Sequence, residues 1–233
     1  MKPSTARTPI AAALVLAGAV SAPQVLAQAE GQSFQLEEVV VTARRRTENL
    51  QDVPIAVTAL TGDDLDLRGS SDISELANMV PSVTLEPTRA TNTTLTAFIR
   101  GVGQQDPLAG FEQGVALYLD DVYLARPQGA LLDIYDVERI EVLRGPQGTL
   151  YGRNAVGGAI KYVTRRLAEQ PELRLRGSFG SYSQQDFVGT ASTPIGDMLR
   201  IGGTVASLQR DGYGDNKTTG DDNYNKDLFA LSL

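Results

Sequence analysis

The sequence predicts an α+β domain, a small mixed sheet with short helices, followed by the start of an antiparallel transmembrane β-barrel. Two patterns indicate this fold class. Between residues 52 and 166, helix-capping residues alternate with short strand-like runs, and Gly-rich or Pro-containing loops separate them. Beyond residue 171 the helix signals stop, and small or apolar residues occupy alternate positions, which is the two-residue period of a strand. Because a soluble β-sandwich shows the same alternation, this second pattern alone leaves both architectures open.

The composition excludes several classes of function. The 233 residues include 21 basic and 28 acidic side chains, and this net charge of −7 lacks the basic excess that non-specific nucleic-acid binding requires. The chain has no Cys and no His, which removes disulfides, thiolate metal sites and every mechanism that uses an imidazole. Carboxylate pairs remain at Asp120 and Asp121 and at Glu138 and Glu141, but the spacing of each pair places its two members on opposite faces of a strand. We therefore expect a protein that binds and moves a solute, not an enzyme, with no catalytic residue, no metal site and no cofactor.

The N-terminal residues predict an export signal. Lys2 and Arg7 give a positive start, an apolar run covers residues 10–20, and small residues lead up to a cleavage site after Ala27, with Ala29 as the alternative. The apolar run is shorter than the roughly 20 residues that a spanning helix needs. We expect residues 1–27 to be removed during export.

A polar segment, residues 28–51, follows the predicted leader and is interpreted as a tether. Its apolar part is the valine triplet 39–41, which is flanked by acidic side chains and by the arginine triplet 44–46. Consecutive valines favour the extended state, and an extended segment can add as a strand to the edge of a partner's sheet. The same segment could form an edge strand of the following domain, and the tether sequence alone leaves both possibilities open.

The elements expected between residues 52 and 166 are short. Residues 55–60 alternate like a strand, and Thr61 opens a short helix. Asp72 and Glu75 form a capping pair for a second helix, which Pro81 ends. Further strands are expected at 95–100, 115–124, 139–143 and 159–164.

Alternating strands are expected after residue 171. Short turns at 181–183 and 194–197 and a long polar loop at 210–226 separate them, as in barrels whose strands of about 10 residues have short and long connections. Residues 172–233 leave room for about four such strands.

Three features in fixed order resemble the TonB-dependent outer-membrane receptors: a signal peptide, the segment Leu-Glu-Glu-Val-Val-Val-Thr-Ala at 36–43, and an α/β domain that leads into barrel-like strands. The stretch 136–160 resembles the signature of that family's plug domain, and Ile-Arg-Gly-Val-Gly at 99–103 matches as well. The resemblance implies that residues 52–166 are the plug and that 172–233 are the first strands of a truncated barrel. Since plugged barrels have about 22 strands, we expect the sequence to be the N-terminal part of a longer receptor.

The resemblance also implies roles for particular residues. The segment 36–43 would be the TonB box, the peptide that periplasmic TonB captures as an added strand. Arg100 and Arg144 would pair with glutamates of the barrel wall and lock the plug. The loops 88–94, 102–114 and 123–130 would face outward and contact ligand. The TonB-box residues are Leu36, Glu37, Glu38, Val39, Val40, Val41, Thr42 and Ala43, and the candidate ligand contacts are Arg89, Gln104, Gln105, Phe111, Tyr123 and Arg126.

The function implied by the resemblance is energy-coupled uptake of a large, scarce solute, such as a ferric siderophore, through the outer membrane. Without His or Cys the plug offers no soft metal ligands, so iron would arrive inside a chelator. A carbohydrate or a cobalamin is the alternative substrate. The expected partners are TonB, outer-membrane lipid and the small-molecule ligand, with no nucleic acid, and the tether would face the periplasm. A soluble periplasmic plug-like binding module and a non-functional truncated receptor are the alternative interpretations.

Overall fold

The computed structural model describes residues 39–87, 93–108, 110–196, 198–220 and 222–232. The predicted leader, residues 28–38 of the predicted tether (which include Leu36, Glu37 and Glu38) and Arg89 lie outside these ranges. Met1–Glu37 and Glu38–Leu233 are two separate units, and all the described residues belong to the second. No helix among them reaches the length and apolarity needed to cross a bilayer.

A mixed sheet forms the centre of the first domain, as predicted. The strands described in this domain are β1 (Val40–Val41), β2 (Glu48–Asn49), β3 (Ala56–Thr61), β4 (Val83–Pro87), β5 (Leu95–Ile99), β6 (Val102–Gly103), β7 (Val115–Leu119), β8 (Val122–Tyr123), β9 (Val137–Arg144) and β10 (Gly158–Thr164). Strands β3, β9, β10, β7 and β8 form the central sheet in that order, with β7 parallel to β10 and the other pairs antiparallel. Strands β4, β5 and β6 form a second sheet, and β1 pairs with β2. Strand β3 is therefore an edge strand whose neighbour in the sheet is β9.

The helices are short, and one differs from its prediction. The first, α1 (Gly62–Leu67), begins with a capping box between Thr61 and Asp64, as the sequence indicates. The segment Ile73–Asn78 is a 3₁₀-helix and not the expected α-helix. Its Asp72 carboxylate caps the Ser74 N–H, but Glu75 accepts from Ser71 rather than from Asp72, so the reciprocal bond of a capping box is missing. A one-turn helix that the sequence analysis did not predict, α2, covers Gly148–Tyr151.

The run 115–124 was predicted as one strand and is instead a hairpin of β7 and β8. Asp120 and Asp121 form its two-residue turn, with φ values of 45° and 66°. Asp tolerates this left-handed region better than most residues, and two-residue turns with positive φ match the twist of paired strands. The Asp120 carboxylate also accepts from the Thr164 N–H at 2.8 Å, which ties the turn to the end of β10.

Two apolar cores cover the two faces of the central sheet. Ile140, Val142 and Ile160 belong to the larger core, which also contains side chains from α1, the 3₁₀-helix, β4 and β5. Leu143 and Ala159 belong to the smaller core on the other face. The alternation along β9 and β10 separates the two sets, because successive side chains of a strand point to opposite faces.

The second domain is an antiparallel sheet whose strands confirm the predicted alternation. Its long strands are β11 (Glu172–Gly180), β12 (Gln184–Ile195), β13 (Leu199–Arg210) and β16 (Lys226–Ser232), paired in that order, with a small hairpin of β14 (Gly214–Asp215) and β15 (Asp222–Asn223) before β16. Odd-numbered apolar side chains such as Leu175, 69% exposed, cover the outer face. Val188, Ala206 and Leu208 are buried on the inner face.

Replacing Ile160 by Ala tests the larger core. The side chain is fully buried at the centre of the sheet, so Ile160→Ala should lower the free energy of unfolding by about 2–5 kcal/mol. Urea unfolding followed by circular dichroism measures the loss. Val122→Ala, at an exposed position of β8, is the control and should stay within about 0.5 kcal/mol. Equal losses in the two variants would contradict the burial assigned to Ile160.

Candidate functional site at segment 39–43

The described part of the predicted TonB box, residues 39–43, is folded back onto the first domain. Val40 pairs with Asn49 and Val41 with Glu48, so β1 and β2 form a hairpin. The arginine triplet lies in its turn, where Arg45 has a φ of 58° and donates its N–H to the Thr42 carbonyl at 2.9 Å. The Val41 and Ala43 side chains are buried in the smaller core. Residues 39–43 are therefore an integral part of that core, and the arginine triplet forms a turn.

Ion pairs to Glu48 fix the turn of this hairpin. The Arg44 Nε atom donates to the Glu48 carboxylate at 2.8 Å, and the Arg46 guanidinium contacts the same carboxylate at 2.7 Å. The hydrogen bond from Arg44, followed by that from Arg46, lowers the pKa of Glu48. The carboxylate is therefore charged at neutral pH and holds both arginines in place.

Thr42 lies at the centre of a cluster of buried charges. Its N–H donates to Glu141 Oε1 at 2.7 Å, and its hydroxyl donates to the same oxygen at 3.1 Å. The Lys161 ammonium donates to the Thr42 hydroxyl at 2.8 Å and to the Thr42 carbonyl at 3.2 Å. Arg139 Nη2 donates to the hydroxyl at 3.2 Å. One residue of the segment thus contacts three charged side chains.

The central sheet positions these charges. Glu141 on β9 lies directly opposite Lys161 on β10, and their side chains are 0% and 1% exposed. Arg139 Nε donates to Glu141 Oε1 at 2.8 Å, and Lys161 pairs with the exposed Asp121 at 3.0 Å. A charge withdrawn from water is tolerated when it is paired and hydrogen-bonded, so the cluster is stable only as a set. The sequence predicts none of these contacts. Its visible signal was Lys161, the one charged residue within strand β10.

Tyr151 provides a further contact to the segment. Its hydroxyl donates to the Ala43 carbonyl at 2.8 Å, and the Arg45 guanidinium lies 5.3 Å from the centre of its ring. Burial raises the pKa of Tyr151, so the hydroxyl remains a hydrogen-bond donor at neutral pH. The Tyr118 hydroxyl in turn donates to the Tyr151 carbonyl at 2.7 Å.

The hydrogen-bonding groups of segment 39–43 are therefore occupied on two sides. Strand β2 pairs with β1 on one side. On the other, Glu141, Lys161 and Tyr151 bind the Thr42 N–H, the Thr42 carbonyl and the Ala43 carbonyl. A partner that adds a strand needs free backbone groups at an edge. In this conformation the segment does not present such an edge at Thr42 and Ala43.

The two arginines predicted to lock the plug lie near one another. Arg100 is exposed with a φ of 53°, and a Cβ atom placed on Gly145 would lie 3.4 Å from Arg100 Nη1. Arg144 directly precedes that glycine, and its Nε is buried without a hydrogen-bond partner. Neither arginine forms an ion pair with any residue that the structure describes. Their pairing with wall glutamates stays a prediction.

Three of the six predicted ligand contacts line one cavity. Phe111, Tyr123 and Arg126 surround a space of about 490 Å³, together with Tyr151 and Asn154. The Asn154 amide donates to the Tyr123 hydroxyl at 2.7 Å, which orients the Tyr123 side chain. The pair formed by Glu112 and Arg153 completes the wall.

The other predicted contacts lie elsewhere. Gln104 and Gln105 do not line this cavity, and Gln104 Oε1 accepts from the Asp106 N–H at 3.2 Å. Arg89 lies outside the described residues.

Comparison with known proteins identifies the class. The TonB-dependent Receptor Plug Domain family matches residues 49–159. The ferric yersiniabactin uptake receptor FyuA from Yersinia pestis has a similar structure, with 30% identity and a TM-score of 0.61 over 75% of this chain and 26% of the receptor. The pyoverdine outer membrane receptor FpvA from Pseudomonas aeruginosa (18% identity, TM-score 0.62, 76% and 25% covered) and the siderophore receptor PiuA from Acinetobacter baumannii (19%, 0.60, 73% and 23%) share the fold.

A mixed-sheet plug that leads into antiparallel barrel strands defines this chain as part of a plugged receptor. Residues 49–159 belong to the TonB-dependent Receptor Plug Domain family, and together with the structural matches this confirms both the resemblance and the predicted fold class. It spans about a quarter of the length of the solved receptors that it matches.

Replacing Lys161 by Met tests how segment 39–43 is held. The change removes two hydrogen bonds to Thr42 but leaves Glu141 paired with Arg139. Since a hydrogen bond to a charged group contributes about 1.5–3 kcal/mol, the Thr42 N–H should exchange with solvent about 10- to 100-fold faster. Hydrogen exchange followed by NMR measures this rate. Lys217→Met, in the exposed loop before β16, is the control, and equal rates in the two variants would show that Lys161 does not hold the segment.

Proposed function

We propose that this chain is part of a receptor that takes up a ferric siderophore across the outer membrane, with energy that TonB delivers through residues 36–43. The observation that carries this proposal is the docking of residues 39–43 on the buried charges of the plug. A segment with strand propensity that is held by hydrogen bonds from polar side chains can be released and can then add as a strand to a partner's sheet. Similarity to the ferric yersiniabactin uptake receptor supports the same substrate class.

Capture by TonB requires part of this docking to be undone. The Thr42 N–H and carbonyl and the Ala43 carbonyl become available only when Glu141, Lys161 and Tyr151 release them. The Thr42 carbonyl must also lose its hydrogen bond from the Arg45 N–H. Glu141 then keeps Arg139 as its partner, and Lys161 keeps Asp121. Neither buried charge is left unpaired, so release avoids the large penalty of an isolated charge.

The chemistry of the cavity supports a chelate that carries aromatic or anionic groups. Phe111 and Tyr123 offer ring surfaces, and Arg126 adds a positive charge. A neutral carbohydrate would also stack on the rings, but it would gain nothing from the charge of Arg126. The absence of His and Cys fits iron that arrives inside a chelator.

The outer face of the four strands supports residence in a membrane. The outward apolar side chains on β12 begin at Phe187 and end at Ile195, which is roughly 27 Å along a strand that rises about 3.4 Å per residue. Barrel strands present an apolar band of about 25 Å and cross the bilayer at a tilt. Gln185, Gln209 and Asp227 form a polar row beyond the band. An exposed apolar face of this size disfavours the alternative of a soluble periplasmic module.

Substitution of Val40 by Pro tests the TonB box. Pro removes the backbone N–H and fixes φ, so a peptide covering residues 28–51 should lose at least about tenfold in affinity for the periplasmic domain of TonB. Fluorescence polarisation with a labelled peptide measures the affinity. Gln32→Pro, outside the predicted box, is the matched control and should bind like the unchanged peptide. If Val40→Pro binds as well as Gln32→Pro, residues 36–43 are not the TonB box.

Substitution of Arg126 by Ala tests the ligand site. In a receptor that contains this chain, Arg126→Ala should weaken binding of ferric yersiniabactin or ferric pyoverdine about tenfold, because a charge-assisted contact is lost. Titration calorimetry in detergent solution measures the affinity for both chelates and, for comparison, for cyanocobalamin and maltoheptaose. Arg68→Ala, exposed beyond α1, is the control. Binding of cyanocobalamin or maltoheptaose alone would overturn the assignment to siderophores.

A further inference from the structure

Two plug segments, residues 66–73 and 131–136, are joined to each other next to the four barrel strands. The Ile73 N–H donates to the Leu132 carbonyl at 2.9 Å, and the Ile134 N–H donates to the Ser71 carbonyl at 3.1 Å. Asp72 and Asp133 form a β-bridge between these bonds. We call these two segments the bridged pair. They behave as one short two-stranded unit, because each supplies a donor and an acceptor to the other.

Two cations from the barrel strands bind both members of the bridged pair. Arg176 on β11 forms an ion pair with Asp66, and its Nη2 donates to the Ile134 carbonyl at 3.2 Å. Lys226 on β16 lies 2.6 Å from Asp133 Oδ1 and 3.4 Å from the Ser71 carbonyl. Each cation therefore contacts residues 66–73 and residues 131–136 at once. Its binding fixes the two segments to each other as well as to the strands.

Segment 131–136 also adds an aromatic side chain to the contact with the strands. Tyr135 packs against the inner-face cluster of the barrel strands, and the Thr204 hydroxyl on β13 donates to Asp136 Oδ2 at 2.9 Å. Contacts with a central aromatic group and charged pairs around it are typical of well-packed interfaces. The inner-face cluster consists of Val188, Ala206 and Leu208, with Leu228 and Ala230 against them.

The position of the bridged pair along the chain matters for a force applied at residues 39–43. From there the chain passes through β2 to β3, an edge strand with one neighbour in the central sheet, and then into α1. Asp66 is the first residue on this path whose side chain forms an ion pair with the barrel strands, among those the structure describes. A pull along the chain meets the edge strand before it meets a group attached to the barrel.

We propose that the bridged pair is the stop for a pull applied at residues 39–43. Residues 39–65 are released, whereas the bridged pair stays on the strands, held by Arg176, Lys226 and Tyr135. The inference rests on the proposed function only for the identity of TonB as the source of the pull. The released length is roughly 27 residues, which extend to about 95 Å at about 3.5 Å per residue. That distance exceeds the length of a strand that crosses the membrane.

Single-molecule pulling tests the proposal directly. The chain has no Cys, so Val39→Cys and Lys217→Cys provide two unique handles, one on the segment and one in the loop before β16. In detergent micelles, the first unfolding step should add about 95 Å of contour length, and a separate rupture should follow. Because an instrument and not TonB applies the force, failure of the TonB proposal would not affect this result. A first step that already runs past residue 73 would overturn the inference.

Variants of the two cations identify the stop. Arg176→Met combined with Lys226→Met should lengthen the first step, whereas Arg176→Lys combined with Lys226→Arg should leave it unchanged. Arg174→Met is the matched control, since Arg174 lies on the same strand and pairs with Glu172 of that strand. An unchanged first step in the double Met variant would overturn the proposal.

A charge exchange keeps the test decisive if the double Met variant fails to fold. Asp66→Arg and Arg176→Asp each remove the pair, and each alone should lengthen the first step. Together they restore opposite charges, and the step should return to about 95 Å. A general loss of stability would not be reversed in this way, so failure of the combined variant to restore the step would overturn the role of this pair.

Discussion

The fold of the plug depends on one carboxylate, Glu141, which is buried in the smaller core and needs partners there. The Glu141 side chain is fully withdrawn from water, so its charge must be compensated from nearby. Arg139, on the same strand, provides the opposite charge, and Thr42 provides two hydrogen bonds. A residue of the predicted TonB box is therefore part of what makes the core stable. The segment that an energy-supplying partner would grip is also a structural element of the plug.

The division of partners around Glu141 explains how one segment can serve both purposes. The ionic partner Arg139 belongs to the sheet and stays, whereas the neutral partner Thr42 belongs to the segment and can leave. Each hydrogen bond to a charged group contributes about 1.5–3 kcal/mol to stability. Loss of the only counter-charge would lower stability more, because it would leave a buried charge unpaired. When Thr42 leaves, Glu141 therefore loses only hydrogen bonds and keeps its counter-charge.

The sequence predicts the elements of this structure better than their partners. The helix that Thr61 opens and the alternation of apolar side chains such as Leu175 follow from local patterns, and both are confirmed. The burial of Glu141 opposite Lys161 does not follow, because it depends on the register between two strands, which no single strand encodes. The 3₁₀-helix is a similar case. The Glu75 carboxylate could accept from the N–H of Ser71 or of Asp72, and only the folded chain determines that it accepts from Ser71. Arg176 occupies a polar position of an alternating strand, and its partners come from distant segments that the local pattern does not indicate.

The charges on the two sides of the contact between plug and barrel strands also determine how the plug is positioned on the strands. On the described strands the wall supplies the cations, Arg176 and Lys226, and the plug supplies Asp66 and Asp133. The pairs that the family resemblance implies for Arg100 and Arg144 have the opposite polarity, with the cation on the plug. If both kinds are present, a plug that shifts or turns within the wall brings like charges together, which is unfavourable in a setting with little water. Mixed polarity would thus favour a single seated position of the plug within the wall.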